Sequence, residues 1–143
     1  MSHVVTVDIE IKDIDCLRKA CKAIGLEFRE NQKTYKWYGR SVGDYPIPNG
    51  FSVSDLGKCD HAIGIPNNNS AYEIGVVKRD NKYTLLWDFW SGGYGLQGVV
   101  GDKCGNLVQA YTKEVAVKKA RNMGYIVKET KNKNGDVVLT LSK

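Results

Sequence analysis

No run of apolar residues in this 143-residue chain approaches the roughly 20 that cross a bilayer. The opening Met-Ser-His-Val-Val has no basic stretch followed by an apolar one. Neither a membrane span nor a secretory leader is therefore expected, and an intracellular, cytoplasmic location is the default. Histidine is limited to His3 and His61, and none of the four cysteines forms a Cys-x-x-Cys pair. A structural zinc site draws four ligands, usually in two spaced pairs, which these residues do not supply. A hydrolytic triad needs an imidazole beside a nucleophile, and no Gly-x-Ser-x-Gly elbow is present. No Gly-Lys-Ser or Gly-Lys-Thr occurs, which excludes a Walker-type phosphate loop. No catalytic, cofactor-binding or metal-ligating residue is nominated.

The cysteines fit a reducing compartment. Cys16 and Cys21 fall on one expected helix, about 140° apart around its axis, which suits neither a bridge nor a shared ion. Cys59 and Cys104 are isolated, so reduced and mostly buried thiols are expected. Cys59-Asp60-His61 is the only close grouping of metal-ligand types and reads as a core cysteine beside a surface histidine.

Charge is unevenly distributed. Residues 1–110 carry 13 Lys and Arg against 13 Asp and Glu. Residues 111–143 carry eight basic residues against three acidic ones, so the formal net charge of +5 comes from the last quarter. A local positive field raises encounter rates with phosphates or acidic surfaces.

The length suits a single domain, 1–143, with room for a real core. Val5, Val7, Ile9 and Ile11 alternate with polar residues and predict a strand with one buried face. Asp13 reads as a helix N-cap, with Ile14, Leu17, Cys21 and Ile24 in one apolar stripe and Gly25 at the end. Short strands are expected over 26–30, 34–38 and 59–65, and residues 39–57 read as a long surface loop. A hairpin is expected from 72–78 and 83–90. A helix follows over 106–123, with core positions Leu107, Val108, Tyr111, Val115, Ala116, Ala120 and Met123. A last hairpin, 125–130 with 137–141, turns at Asn134-Gly135, a strong two-residue signal. These elements predict an α+β fold, an antiparallel sheet with two helices packed on one face. Their order is compatible with a ferredoxin-like arrangement.

Gly93-Tyr94-Gly95-Leu96-Gln97-Gly98 matches the G-x-G-x-x-G pattern. Its preceding strand belongs to a hairpin, whereas the dinucleotide fingerprint needs a parallel strand–helix–strand unit. It reads instead as a flexible glycine corner. Trp87 and Phe89 share a face and Trp90 points opposite, which makes Trp90 and Tyr94 a candidate partner surface beside the simpler reading that all pack in the core. At the basic end, Lys118 and Arg121 on the helix are expected to join Lys128, Lys131 and Lys133 on the hairpin in an anion or nucleic-acid contact, with Tyr125 placed to stack on a base. Other charges ring the helix, as on an ordinary solvated face.

Asp88-Phe89-Trp90, Gln109-Ala110-Tyr111 and Lys119-Ala120-Arg121-Asn122-Met123-Gly124-Tyr125 coincide with the opening Met1-Ser2-His3 and the Asp13-capped helix. Together they resemble the hypothetical chloroplast reading frame thirty-five family, a family of unknown function found in cyanobacteria, plastids and phages. The resemblance implies a cytosolic or plastid-stromal protein. It supplies no activity or catalytic residue. In bacteria, members resemble accessory components encoded near ATPases and small ferredoxins, which implies a protein partner. The chain as a whole therefore reads as a non-enzymatic interaction module that binds another macromolecule, with no cofactor and no membrane. The alternatives are a nucleic-acid-binding protein using the basic end and, third, a small-molecule or redox enzyme. Exposed sheet edges are compatible with a dimer.

Overall fold

The computed structural model describes residues 3–7, 9–40, 43 and 45–143. The first apolar alternation forms a short strand, β1 (Val4–Thr6). The expected strand does not run on to Ile11. The Ile9 N–H donates to the Val7 carbonyl at 2.9 Å rather than across a ladder, and Ile11 then makes one isolated bridge to Tyr83. Asp13 caps α1 (Ile14–Ala23), its carboxylate accepting from the Cys16 N–H at 3.0 Å. Cys16, Leu17, Ala20 and Cys21 form the buried stripe of α1.

β2 (Glu27–Arg29), β3 (His61–Gly64), β4 (Ile74–Arg79) and β5 (Lys82–Asp88) join β1 in an antiparallel sheet of order β1-β5-β4-β3-β2. The α+β class is as expected, but the order is not ferredoxin-like. β1 sits at an edge with β5 as its one neighbour, and the C-terminal hairpin forms a separate two-stranded sheet, β6 (Ile126–Lys131) with β7 (Val137–Ser142). A strand reading Ile-Val-Lys-Glu-Thr-Lys carries charge on both faces and cannot be buried between layers.

Alternation places Ile63, Ile74, Val76, Leu85 and Trp87 on one face of the large sheet. That face is covered by α1, by the short α2 (Leu96–Val100) and by α3 (Gly105–Asn122), as the sequence predicts apart from the extra helix. The Tyr111 hydroxyl of α3 accepts from the N–H groups of Lys12 and Asp13 at 3.1 and 3.2 Å, tying α3 to the start of α1. Leu107, Tyr111, Val117 and Ala120 are the buried positions of α3. Val115 and Met123, expected in the core, are 36% and 59% exposed. α3 packs chiefly along α1 and also meets the hairpin.

The opposite face is covered too. Val4, Ala62 and Leu86 meet Tyr35 and Leu56, with Trp37, Ile47 and Phe51 packed around them. Within the expected surface loop, which stays largely exposed and of which residues 41, 42 and 44 lie outside the described residues, Ile47, Phe51 and Leu56 thus join Tyr35 and Trp37 in a second, irregular covering layer. Residues 34–38 are not a strand: Thr34 makes a single bridge to Lys58. Gly75 explains how the layer fits. A Cβ there would lie 2.3 Å from the Tyr35 ring, so the ring occupies the space of the missing side chain. Among the described residues the buried Tyr35 hydroxyl has no hydrogen-bond partner, and burial pushes its pKa up to about 12.

Two buried carboxylates hold this layer down. Glu73 accepts from the Arg29 guanidinium at 2.5 Å, the Gln32 amide at 2.9 Å and the Lys36 N–H at 2.9 Å. Asp88 is fully buried and accepts three backbone N–H bonds. Those of His3 and Trp90 reach Oδ1 at 3.0 Å, and that of Tyr38 reaches Oδ2 at 3.1 Å.

Two substitutions test this arrangement in urea unfolding. Gly75→Ala should lose about 2 kcal/mol or more, because the Tyr35 ring has no room to yield inside a packed layer. Asp88→Asn keeps the shape but replaces one acceptor with a donor, leaving at least one buried N–H unmatched, and should cost roughly 2–3 kcal/mol.

Candidate functional site

The glycine corner is a defined structure. Ser91, Gly92, Gly93 and Tyr94 all adopt left-handed backbone angles, with φ of 53°, 64°, 63° and 53°. Four such residues in succession make one left-handed turn, and each non-glycine member costs about 1–2 kcal/mol. Three contacts hold it. The Trp90 N–H is anchored on Asp88, the Tyr72 N–H donates to the Gly93 carbonyl at 2.9 Å, and the Tyr94 ring meets Tyr72 edge-on at 5.0 Å. Backbone strain of this kind gathers at functional positions.

The two aromatic residues nominated from sequence part company here. Trp90 is half-buried, its ring edge-on to His3 at 5.0 Å. Tyr94 is 50% exposed at the tip of the turn. Trp87 lies in the main core, and Phe89 packs at its margin.

Beside the turn lies a cavity of about 560 Å³, between β1, β5 and the α2–α3 link. Its walls are Val5, Val7, Trp87, Phe89 and Val108, with Tyr45 at one side. Gln97, Asp102 and Lys103 supply its polar groups. Lys103 and Cys104 are again left-handed, with φ of 51° and 59°, so strained backbone flanks α2 at both ends. Sequence reasoning did not find this cavity, because its walls come from four separated segments. The one local signal was the density of glycine between 92 and 105.

Cys59 and His61 do not converge. Cys59 belongs to the irregular layer, its thiol donating to the Gln32 carbonyl at 3.2 Å. His61 is on the helix-covered side, with ring contacts to Phe28 at 5.2 Å and Tyr83 at 6.1 Å. Half-buried rather than a free surface residue, its Nδ1 accepts from the Asn31 N–H at 2.9 Å. That bond requires a neutral ring protonated on Nε2. All four cysteines are free thiols, and burial pushes those of Cys21, Cys59 and Cys104 up to about 12. Among the described residues, no three His, Cys, Asp or Glu side chains gather as a metal site would require. Among them, too, no helix is long and apolar enough to cross a membrane.

The basic residues of the C-terminal end are divided. The Lys118 ammonium is held by the Asp13 carboxylate at the start of α1. That contact is the main cause of a lowered Asp13 pKa. Lys131 borders a hollow between the hairpin and α3, near Lys113 and Glu129, which pair at 3.2 Å. Ile126, Lys128 and Thr130 alternate onto the outer face of the hairpin, opposite Ser142, Thr140 and Val138. Every residue of that outer face is exposed, with Ile126 at 69% and Val138 at 41%. Lys133 sits in the turn, and Arg121 is exposed near the end of α3. That turn spans 132–136 and is not a two-residue one; the Asn132 side chain closes it by accepting from the N–H groups of Asn134 and Asp136, both at 3.0 Å. The Lys143 ammonium lies over one face of the Tyr125 ring, at 4.8 Å.

His61 yields a pH prediction. Burial is the main cause of a pKa below its usual 6.5. The folded state favours the neutral ring, so the stability it contributes is complete above about pH 6.5 and is lost as pH falls through the lower folded value. An NMR titration should give a His61 midpoint below 6.5, with the Asn31 amide resonance shifting at the same midpoint.

A family model described as a protein of unknown function (DUF1257) matches residues 50–140, from the loop before β3 into β7. The uncharacterized protein ycf35 of Guillardia theta is 28% identical over 148 residues, an alignment covering all of this chain and 98% of that protein. No solved structure matches. These similarities bear out the resemblance carried by the short motifs, and the chain belongs to the DUF1257 family of proteins of unknown function.

Proposed function

We infer that this protein is a non-enzymatic accessory module that binds an acidic protein segment on the outer face of its C-terminal hairpin. One observation carries the reading. An exposed two-stranded sheet displays Ile126 and Val138 around Lys128, in the part of the chain that holds all the excess positive charge. Apolar residues supply area that loses water on contact, and the lysines select an acidic partner and speed its approach. Among the described residues neither edge of the hairpin has a further strand, so an extended segment can also add main-chain hydrogen bonds. Arg121 stands at the α3 end of the hairpin and Lys133 in its turn, and Met123 adds apolar surface at 59% exposure. Tyr94, far along the chain in the left-handed turn, is a second exposed contact.

The nucleic-acid reading has less support. Lys118 is engaged by Asp13, Lys131 faces α3, and one face of Tyr125 is taken by Lys143, so no continuous track of free cations and open rings remains from the residues nominated for it.

Fluorescence anisotropy with a labelled peptide of alternating Glu and Leu tests the proposal. The peptide should bind, and affinity should fall several-fold between 50 and 300 mM salt. Lys128→Glu combined with Ile126→Asp should lower affinity at least 10-fold without changing the melting temperature, whereas Lys118→Glu should leave binding within 2-fold. Tighter binding of a single-stranded 20-mer oligonucleotide than of the peptide would overturn the reading.

A further inference from the structure

We propose that the cavity beside the left-handed turn binds a small zwitterion with an aromatic arm, of the aromatic α-amino acid class. This site is separate from the hairpin face and does not depend on the function proposed above. Three features of the cavity select the ligand. Its volume of about 560 Å³ falls in the range of small-molecule pockets. Its walls are apolar, with Trp87 and Phe89 on one side and Val5, Val7 and Val108 on the others, while the Tyr45 ring stands edge-on to Phe89 at 5.4 Å. Such walls favour an aromatic arm, which gains burial and edge-to-face contacts together.

The third feature is charge. Asp102 and Lys103 are adjacent, exposed and part of the lining. Among the described residues neither makes an ion pair or a side-chain hydrogen bond. Most charged groups around the fold are already engaged, including Asp13, Lys118, Arg29, Glu73 and Asp88. Two opposite and unpartnered charges at the edge of an apolar cavity match a ligand whose ammonium and carboxylate stand on one carbon. The ammonium meets Asp102 and the carboxylate meets Lys103, with the Gln97 amide available to either. Gly105, the first residue of α3, lines the same wall, so the positive end of the helix dipole adds to Lys103.

The strained backbone gives the site a physical rationale. Lys103 is held left-handed, a conformation that costs about 1–2 kcal/mol in a non-glycine residue. Cys104, the next residue, is held the same way while its side chain is fully buried in the core. The core thus imposes the backbone geometry that carries Lys103 on the cavity.

Calorimetric and NMR titrations with four probes test the assignment: L-tryptophan, tryptamine, indole-3-propionate and indole. L-tryptophan should bind with a Kd below 1 mM and shift the amides of residues 97–108. Tryptamine and indole-3-propionate, each lacking one charge, should bind at least 5-fold more weakly, and indole more weakly still. Asp102→Asn should bring L-tryptophan to the level of indole-3-propionate, and Lys103→Gln should bring it to the level of tryptamine. Both are surface changes that leave the core intact. Val108→Trp, which fills the cavity, should abolish binding. Indole binding as well as L-tryptophan, affinity unchanged in both charge variants, or no response to any probe at 10 mM would overturn the proposal. The Lys128→Glu, Ile126→Asp variant should bind L-tryptophan normally, so failure at the cavity and failure at the hairpin are read separately.

Discussion

A single buried carboxylate connects the parts of this protein that secondary structure leaves apart. Asp88 ends the central run of the sheet, is shielded fully from water, and has no basic side chain as an ion-pair partner among the described residues. Its charge is balanced instead by three backbone N–H groups, from His3, Tyr38 and Trp90. Such an arrangement tolerates little movement, because a displaced N–H would leave both a buried donor and a buried charge unmatched. The three donors lie at the N-terminus, in the irregular layer and at the entrance to the left-handed turn. One side chain therefore ties together the edge strand, the covering layer and the left-handed corner.

The two faces of the sheet are covered by different means. On the helical face, apolar stripes at helical spacing meet apolar positions at strand spacing, and the match is generic. On the other face no α-helix is present among the described residues, only a single 3-10 turn at Val53–Asp55. Tyr35, Trp37, Phe51 and Leu56 descend from a segment rich in glycine and polar residues. They fit because Gly75 gives up its side-chain volume to the Tyr35 ring and Gly57 gives up its own to Trp37. Glu73 supplies the polar tie by joining Arg29 in the sheet to Gln32 and Lys36 in the layer. The result is a body with little net charge and a separate, charged hairpin attached through α3. That division suits a protein in which recognition of a macromolecule and binding of a small ligand use different surfaces.

Much of the chain was legible locally. Asp13 announced α1 because a short acidic side chain before an apolar stripe can satisfy the free N–H groups of a first turn, and it does so at Cys16. The aromatic and branched residues of 72–78 and 83–90 marked the hairpin of β4 and β5, and Asn134-Gly135 marked the last turn, though not its length. The errors share a cause. Val115 and Met123 have core chemistry, but they lie off the buried stripe of α3, which is Leu107, Tyr111, Val117 and Ala120, so they stay exposed. Residues 39–57 look like a solvent-exposed loop because glycine, proline and polar residues dominate them, and nothing local reveals that Ile47 and Phe51 pack on a second core, or that Tyr35 just before them sits over Gly75, 40 positions away.

The sequence by itself determined the element types, the neutral body with its basic end, the reduced thiols and the family motifs, because these depend on composition and on neighbours within a few residues. Only the tertiary structure decided which carboxylates are buried and what satisfies them, that Lys118 belongs to Asp13, and that β1, β5 and the α2–α3 link enclose a cavity. Those outcomes depend on distances between segments far apart in the chain, and such distances are set by packing and by the pairing of buried polar groups.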